Sequence, residues 1–154
     1  MSSEIRISKP EEVVELARKV IARVLAAPQS GAAVIALEGE LGAGKTTLAQ
    51  AIARELGVTG VVQSPTFTIC RRHELPAGAP FPEIFHFDLY RLAGTLDLAA
   101  VGWQEALSTP RALVIVEWPE RAPGAVPQGS VWVKLRHGTT PNERLADVES
   151  QTQA

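Results

Sequence analysis

Gly39-Glu40-Leu41-Gly42-Ala43-Gly44-Lys45-Thr46 fits the pattern G-x-x-x-x-G-K-[ST]. Its flanks are those a phosphate-binding loop requires. Ala33-Val34-Ile35-Ala36-Leu37, ahead of it, is a short continuous apolar run that reads as a buried strand. Behind it, Thr47 to Leu56 reads as a helix ended by Gly57. Strand, glycine loop and helix in this order turn a pattern into a mechanism. Three glycines let successive backbone N–H groups converge on an anion, and the helix N-terminus adds positive partial charge. Lys45 is expected to reach the β- and γ-phosphates, and the Thr46 hydroxyl to ligate Mg²⁺. A glycine-rich turn that binds nothing is the competing reading, and the complete pattern with both flanks argues against it. The expectation is a chain that binds a nucleoside triphosphate.

At 154 residues the chain is long enough for one domain, residues 1–154, with a sizeable core. Hydrophobic residues at 45% and charged ones at 21% are ordinary for a globular protein. Cys70 is the single cysteine, which excludes an internal disulfide or a zinc–cysteine cluster and makes a reducing compartment the default. No apolar run approaches membrane-spanning length, and Met1-Ser2-Ser3-Glu4-Ile5 has neither the basic start nor the apolar core of a signal peptide. A cytoplasmic location without membrane contact is expected. A net charge of −2, with Arg71-Arg72-His73 as the densest basic cluster, argues against a broad nucleic-acid surface.

Glu4 to Ile7 reads as a short edge strand. Ser8-Lys9-Pro10-Glu11 has the spacing of a capping box with proline in the first turn. Val13, Leu16, Ala17, Val20, Ile21, Val24 and Leu25 recur at helical spacing, so one helix face packs on a core. Pro28 to Gly31 breaks the chain. Thr66 to Arg72 and Pro82 to Leu89 read as strands, with His73 to Pro80 as the turn between them. Leu96 to Leu107 reads as one or two short helices interrupted near Gly102. Ala112 to Val116 is a second continuous apolar run, ending at Glu117; a proline-rich loop, Pro119 to Gln128, follows. Val131 to Arg136 and Arg144 to Glu149 alternate apolar and polar, as in an antiparallel pair at the sheet edge. The last few residues are polar and expected to fray. The architecture implied is α/β: a three-layer sandwich of the P-loop kind, its mixed sheet having a parallel core and antiparallel flanks.

Phosphoryl transfer needs a metal ion held by the loop threonine and an acid at a strand end, with a group that orients the attacking oxygen. Glu117 and Asp88 qualify by position, each closing an apolar run. Solvated strand-end acids are the ordinary alternative. Glu117 is favoured for the metal and Asp88 for metal or water positioning. His86 on its strand is expected to be a hydrogen-bonded core histidine; Phe67 and Phe87 are expected to be core.

Leu37 to Thr47, Ser64-Pro65-Thr66-Phe67-Thr68, His86-Phe87-Asp88-Leu89-Tyr90-Arg91-Leu92 and Val116-Glu117-Trp118-Pro119-Glu120-Arg121 occur in this order. Together they resemble the TsaE (YjeE) family, bacterial ATPases required to make N6-threonylcarbamoyladenosine at the anticodon-adjacent adenosine of tRNA. The resemblance implies ATP and Mg²⁺ as cofactors and the TsaB–TsaD complex as partner, with TsaC supplying threonylcarbamoyl-adenylate and tRNA reached only through the complex. Weak, partner-stimulated hydrolysis would reset TsaB–TsaD between rounds. By position, Gly39, Glu40, Leu41, Gly42, Ala43, Gly44, Lys45, Thr46 and Thr47 hold the nucleotide and Trp118 lies beside it. Thr46, Glu117 and Asp88 serve the metal, while Asp88 and a γ-phosphate-sensing Thr66 serve hydrolysis. The C-terminal third fits the family in outline. Three rival readings share the loop. A small-molecule kinase needs an arginine-bearing lid, and no Arg-rich excursion is long enough. A signalling GTPase needs an N-K-x-D block, which the chain lacks. A nucleotide-dependent binding module would dock on partners and hydrolyse little.

Overall fold

The computed structural model describes residues 3–27, 31–59, 69–92 and 96–150. In chain order these form β1 (Ser3–Ile7), α1 (Pro10–Ala26), β2 (Ala33–Gly39), α2 (Lys45–Glu55), β3 (Cys70–Glu74), β4 (Glu83–Asp88), α3 (Leu96–Ala100), α4 (Trp103–Ser108), β5 (Leu113–Glu117), a 3₁₀ turn (Pro119–Arg121), β6 (Val131–His137) and β7 (Arg144–Ser150). The strands make one sheet in the order β1-β7-β6-β2-β5-β4-β3. β6, β2, β5 and β4 run parallel; β7 and β1 continue antiparallel on one side, and β3 on the other. The mixed α/β sandwich read from the apolar runs is therefore the fold.

The continuous apolar strands are buried on both faces, as parallel strands between helix layers must be. On one face Ile35, Leu37, Ile84, Leu113 and Ile115 meet Leu16, Ala17, Val20 and Val24 of α1 and Leu48, Ala49 and Ile52 of α2. On the other, Val34, Ala36, Phe87, Val114 and Val116 meet Leu98, Trp103 and Ala106. Phe87 lies edge-on to Trp103, ring centroids 4.9 Å apart. Fully burying each large aliphatic side chain contributes about 1.5–3 kcal/mol, so both helix layers hold the central strands in register.

Several local expectations shift by a residue or two. The N-cap of α1 is Lys9, with no side-chain cap, because Pro10 takes the first helical position. Glu12 rather than Glu11 then reaches back, accepting from both the backbone N and the hydroxyl of Ser8. Leu25 leaves the apolar stripe and is 50% exposed. The first turn of α2 starts at Lys45 rather than Thr47. His73 and Glu74 extend β3 through their pairing with Ile84 and Glu83, so the turn is shorter than its sequence implies. The alternating β6–β7 pair is not at the sheet edge: β6 pairs parallel with β2, and β1 covers β7. Gly102, at φ 80°, separates α3 from α4 as expected. Residues 64–68, with Thr66 and Phe67, and the polar tail 151–154 lie outside the described residues.

Candidate functional site

The loop between β2 and α2 uses its glycines for two different reasons. At Gly39 a Cβ would lie 2.4 Å from the Leu135 carbonyl oxygen and 3.3 Å from the Ala43 Cβ, so the neighbouring strand leaves no room for a side chain. Gly42 and Gly44 instead adopt φ of 78° and 104°, the left-handed region glycine enters without steric cost. Gly44 is also the N-cap of α2, and Leu48 N–H donates to its carbonyl. The unpaired N–H groups of the first helical turn thus open where the strands end. From outside, Arg144 Nε donates to the Gly42 carbonyl at 3.2 Å, and a His137 ring nitrogen lies 3.3 Å from the Leu41 carbonyl. Contacts on the carbonyls hold those peptide planes with their N–H edges turned the other way.

Beyond the C-terminal ends of β2, β4 and β5 lies a cleft of about 890 Å³. Ligands of open α/β sheets bind at such a place. Leu41, Gly42, Gly44, Lys45, Thr46, Thr47, Asp88, Glu117 and Trp118 line it, all expected from the sequence, together with Ile69, Tyr90 and Arg91. Gly39 and Glu40 stand behind the wall and contribute carbonyls, while the Ala43 methyl is fully buried in the α1–α2 core.

Lys45 is 5% exposed. Its ammonium donates to the Gly39 and Glu40 carbonyls at 2.5 and 2.8 Å, and the Trp118 ring centroid lies 4.1 Å away. Burial holds the ammonium pKa below the usual lysine value, against the opposing pull of Glu117, Glu120, Asp88 and Glu40. Trp118 follows Glu117 in the left-handed conformation, φ 59° and ψ 49°, uncommon for a bulky residue. Its ring packs on Tyr90 at 4.9 Å, and the Arg121 guanidinium stands 5.2 Å from Tyr90 and 5.8 Å from Trp118. This stack forms one rim of the cleft.

Asp88 and Glu117 are register partners on the adjacent parallel strands β4 and β5, so both side chains project from the same sheet face. Glu117 is 2% exposed. Its Oε1 accepts from the Thr46 hydroxyl at 2.8 Å, and its Oε2 lies 2.6 Å from His86 Nε2. Asp88, half-buried at the cleft wall, accepts from the Tyr90 backbone N–H at 3.0 Å. Burial is the main cause raising its carboxyl above the usual range; Glu117 adds to the rise, and the Tyr90 N–H works against it.

These donors suit a hard cation. A hydroxyl and two carboxylates are oxygen ligands of the kind Mg²⁺ takes when phosphate and water complete its shell. Among the described residues no three His, Cys, Asp or Glu side chains gather into a site of their own. A cation held by Thr46 and an acid would therefore draw its remaining ligands from phosphate and water. The N–H groups of a helix's first turn, one ammonium and two acids at adjacent strand ends are the parts phosphoryl transfer uses.

His86 is a buried, hydrogen-bonded histidine as expected, but nothing local marked Glu117 as its partner. Arg121, His137 and Arg144 escaped the sequence reading too. Arg121 meets Tyr90 and Trp118 only because the 3₁₀ turn after β5 folds back on them, and His137 and Arg144 carry no local signal, since they reach the loop only through strand pairing. Thr66 lies outside the described residues. No helix among the described residues is long and apolar enough to cross a membrane.

A model of the family described as threonylcarbamoyl adenosine biosynthesis protein TsaE matches residues 7–145. The tRNA threonylcarbamoyladenosine biosynthesis protein TsaE of Haemophilus influenzae is 36% identical over 104 residues, 68% of this chain and 63% of that protein. Its counterpart in Synechocystis sp. is 43% identical over 97 residues, 58% of this chain and 56% of that one. The Bacillus subtilis protein of the same name is 33% identical over 134 residues, 85% and 75% of the two chains. The matches thus span less than two thirds of the length of the first two relatives. The crystal structure of Bacillus subtilis YdiB superposes with a TM-score of 0.73 at 25% identity, covering 98% of this chain and 86% of that one.

Proposed function

This chain belongs to the TsaE family, and from that premise we propose that it is an Mg²⁺-dependent ATPase of tRNA N6-threonylcarbamoyladenosine synthesis. Hydrolysis is slow alone and faster with TsaB and TsaD, and it resets their complex between rounds. TsaC supplies the activated intermediate, and tRNA is met through the complex. One observation carries the chemical part of the reading: the Thr46 hydroxyl and the Glu117 carboxylate are 2.8 Å apart, linking the phosphate loop to the acid strand.

The residues divide the work. Backbone N–H groups of the loop and of the first turn of α2 receive the phosphates, other than that of Ala43, which donates to the Glu40 carbonyl. Lys45 exchanges its two carbonyl partners for phosphate oxygens, bringing anionic charge to an ammonium that burial leaves poorly solvated. Thr46 and Glu117 would hold Mg²⁺, which when bound would neutralise charge on the phosphate oxygens. Asp88 orients a water for in-line attack on the γ-phosphorus, and its raised pKa makes it a better proton acceptor than an ordinary carboxylate. A phosphorus–oxygen bond forms to that water, the bond to the bridging oxygen breaks, and ADP and phosphate leave. Trp118 and Tyr90 wall the site beside the phosphates.

The test is phosphate release from ATP with and without TsaB and TsaD. Wild type should release phosphate faster in their presence, and Lys45→Ala should release none. Asp88→Ala should bind nucleotide and lose turnover. No release from wild type with both partners present would end the enzymatic reading. Label from ATP appearing on a nucleoside or sugar would favour a kinase instead.

A further inference from the structure

The geometry points to His86 as a positioning residue that holds the Glu117 carboxylate in its working orientation; this rests on the proposal that Glu117 and Thr46 serve the cation. His86 and Asp88 lie two apart on β4, so both face the same side of the sheet. His86 is buried beneath the cleft and 2% exposed, while Asp88 lines the cleft wall. The imidazole Nε2 meets Glu117 Oε2 at 2.6 Å, and the Thr46 hydroxyl meets Oε1 at 2.8 Å. An ionised carboxylate only accepts, so both neighbours donate, one to each oxygen.

The terminal torsion of a glutamate is broad and two-fold, and nothing intrinsic fixes its carboxylate plane. Two donors on opposite oxygens fix it. They also leave each oxygen with acceptor capacity, which is what a cation or its bound water needs. A buried imidazole could satisfy its polar nitrogen with any acceptor, including a backbone carbonyl. Here it is spent on the one carboxylate that also touches the first turn of α2. β4 therefore supplies two things with one alternation: the acid facing water, and the imidazole orienting the acid of the next strand. Partners of this kind typically alter metal affinity about 10- to 100-fold when removed.

The experiment compares the affinity of a non-hydrolysed ATP analogue with Mg²⁺ and with chelator, by calorimetry, for wild type, His86→Gln, His86→Leu and Glu117→Gln. The quantity read is the ratio of the two dissociation constants. His86→Leu should cut that ratio about tenfold, and His86→Gln, whose amide N–H sits near the position of Nε2, should restore it to within about threefold of wild type. A wild-type ratio in His86→Leu, alongside a collapsed one in Glu117→Gln, would overturn the role of His86 alone. An unchanged ratio in Glu117→Gln would overturn the metal reading and this inference with it. Should His86→Leu not fold, the imidazole ¹⁵N spectrum of wild type decides. An Nε2–H resonance that moves when Mg²⁺ is added to the analogue-bound protein supports the role, and one that stays fixed overturns it.

Discussion

Replacing Lys45 by methionine separates what the site costs from what it binds. In the free protein the ammonium is buried, and its lowered pKa means that the surroundings disfavour the charged form. Methionine keeps the unbranched stem against Trp118 and removes that penalty. It also gives up two charge-assisted hydrogen bonds to loop carbonyls, about 1.5–3 kcal/mol each in net terms. The opposing effects leave stability within about 1 kcal/mol of wild type, or about 2–4 °C in Tm for a chain this size. Binding is different. A charged ammonium–phosphate hydrogen bond in a low-dielectric cleft contributes about 2–3 kcal/mol, so ATP affinity should fall about 30- to 150-fold. The sign with pH also follows. A folded-state pKa below 10.5 means that this group's stabilising contribution is present above 10.5 and lost as pH falls through the folded value. Any stability advantage of Lys45→Met is therefore greatest near neutrality and shrinks as pH approaches 10.5. Calorimetric melting between pH 7 and 10.5, with ATP titration at pH 7.5, reads all of this. A variant that melted more than about 6 °C lower and kept ATP affinity within about threefold would refute the reasoning.

Two further substitutions probe other parts of the site. The Asp88 carboxyl is held above its ordinary range chiefly by burial, so its stabilising contribution is present below the unfolded value of 3.8 and lost as pH rises through the folded value. Asp88→Asn should thus be more resistant to urea than wild type at pH 7, with the difference narrowing toward pH 4, while ATP is bound but not turned over. A difference that widened toward low pH would contradict the burial argument. Gly39→Ala would force a methyl to within 2.4 Å of a backbone oxygen on β6, and only separating two hydrogen-bonded strands relieves it. Overpacking ordinarily costs about 1–3 kcal/mol, and a backbone obstacle places this variant at or above the top of that range by urea titration. Wild-type stability would show that β2 and β6 are farther apart than described.

Much of the fold was legible because its signals are local. Ala33–Leu37 and Ala112–Val116 are continuous apolar runs, which only strands covered on both faces tolerate. Gly102 marked the break between α3 and α4 because its φ of 80° is one that glycine adopts without strain. The errors were of another kind. Alternation in β6 and β7 shows that one face of each strand is less buried, but not which strand lies at the edge. That depends on β1, more than a hundred residues away, pairing with β7. Likewise Arg144 and His137 reach the loop carbonyls from the far end of the chain.

The sequence by itself determined that Gly39 to Thr46 is a glycine loop between a strand and a helix and that Asp88 and Glu117 end their strands. Glycine spacing and strand-end position are properties of a few consecutive residues. Only the tertiary structure decided that Thr46 donates to Glu117, that His86 takes the other carboxylate oxygen, and that Lys45 lies under Trp118. Those contacts join residues 31 to 73 positions apart. They exist because parallel pairing of β4, β5 and β2 brings three strand ends together, and no spacing along the chain encodes that register.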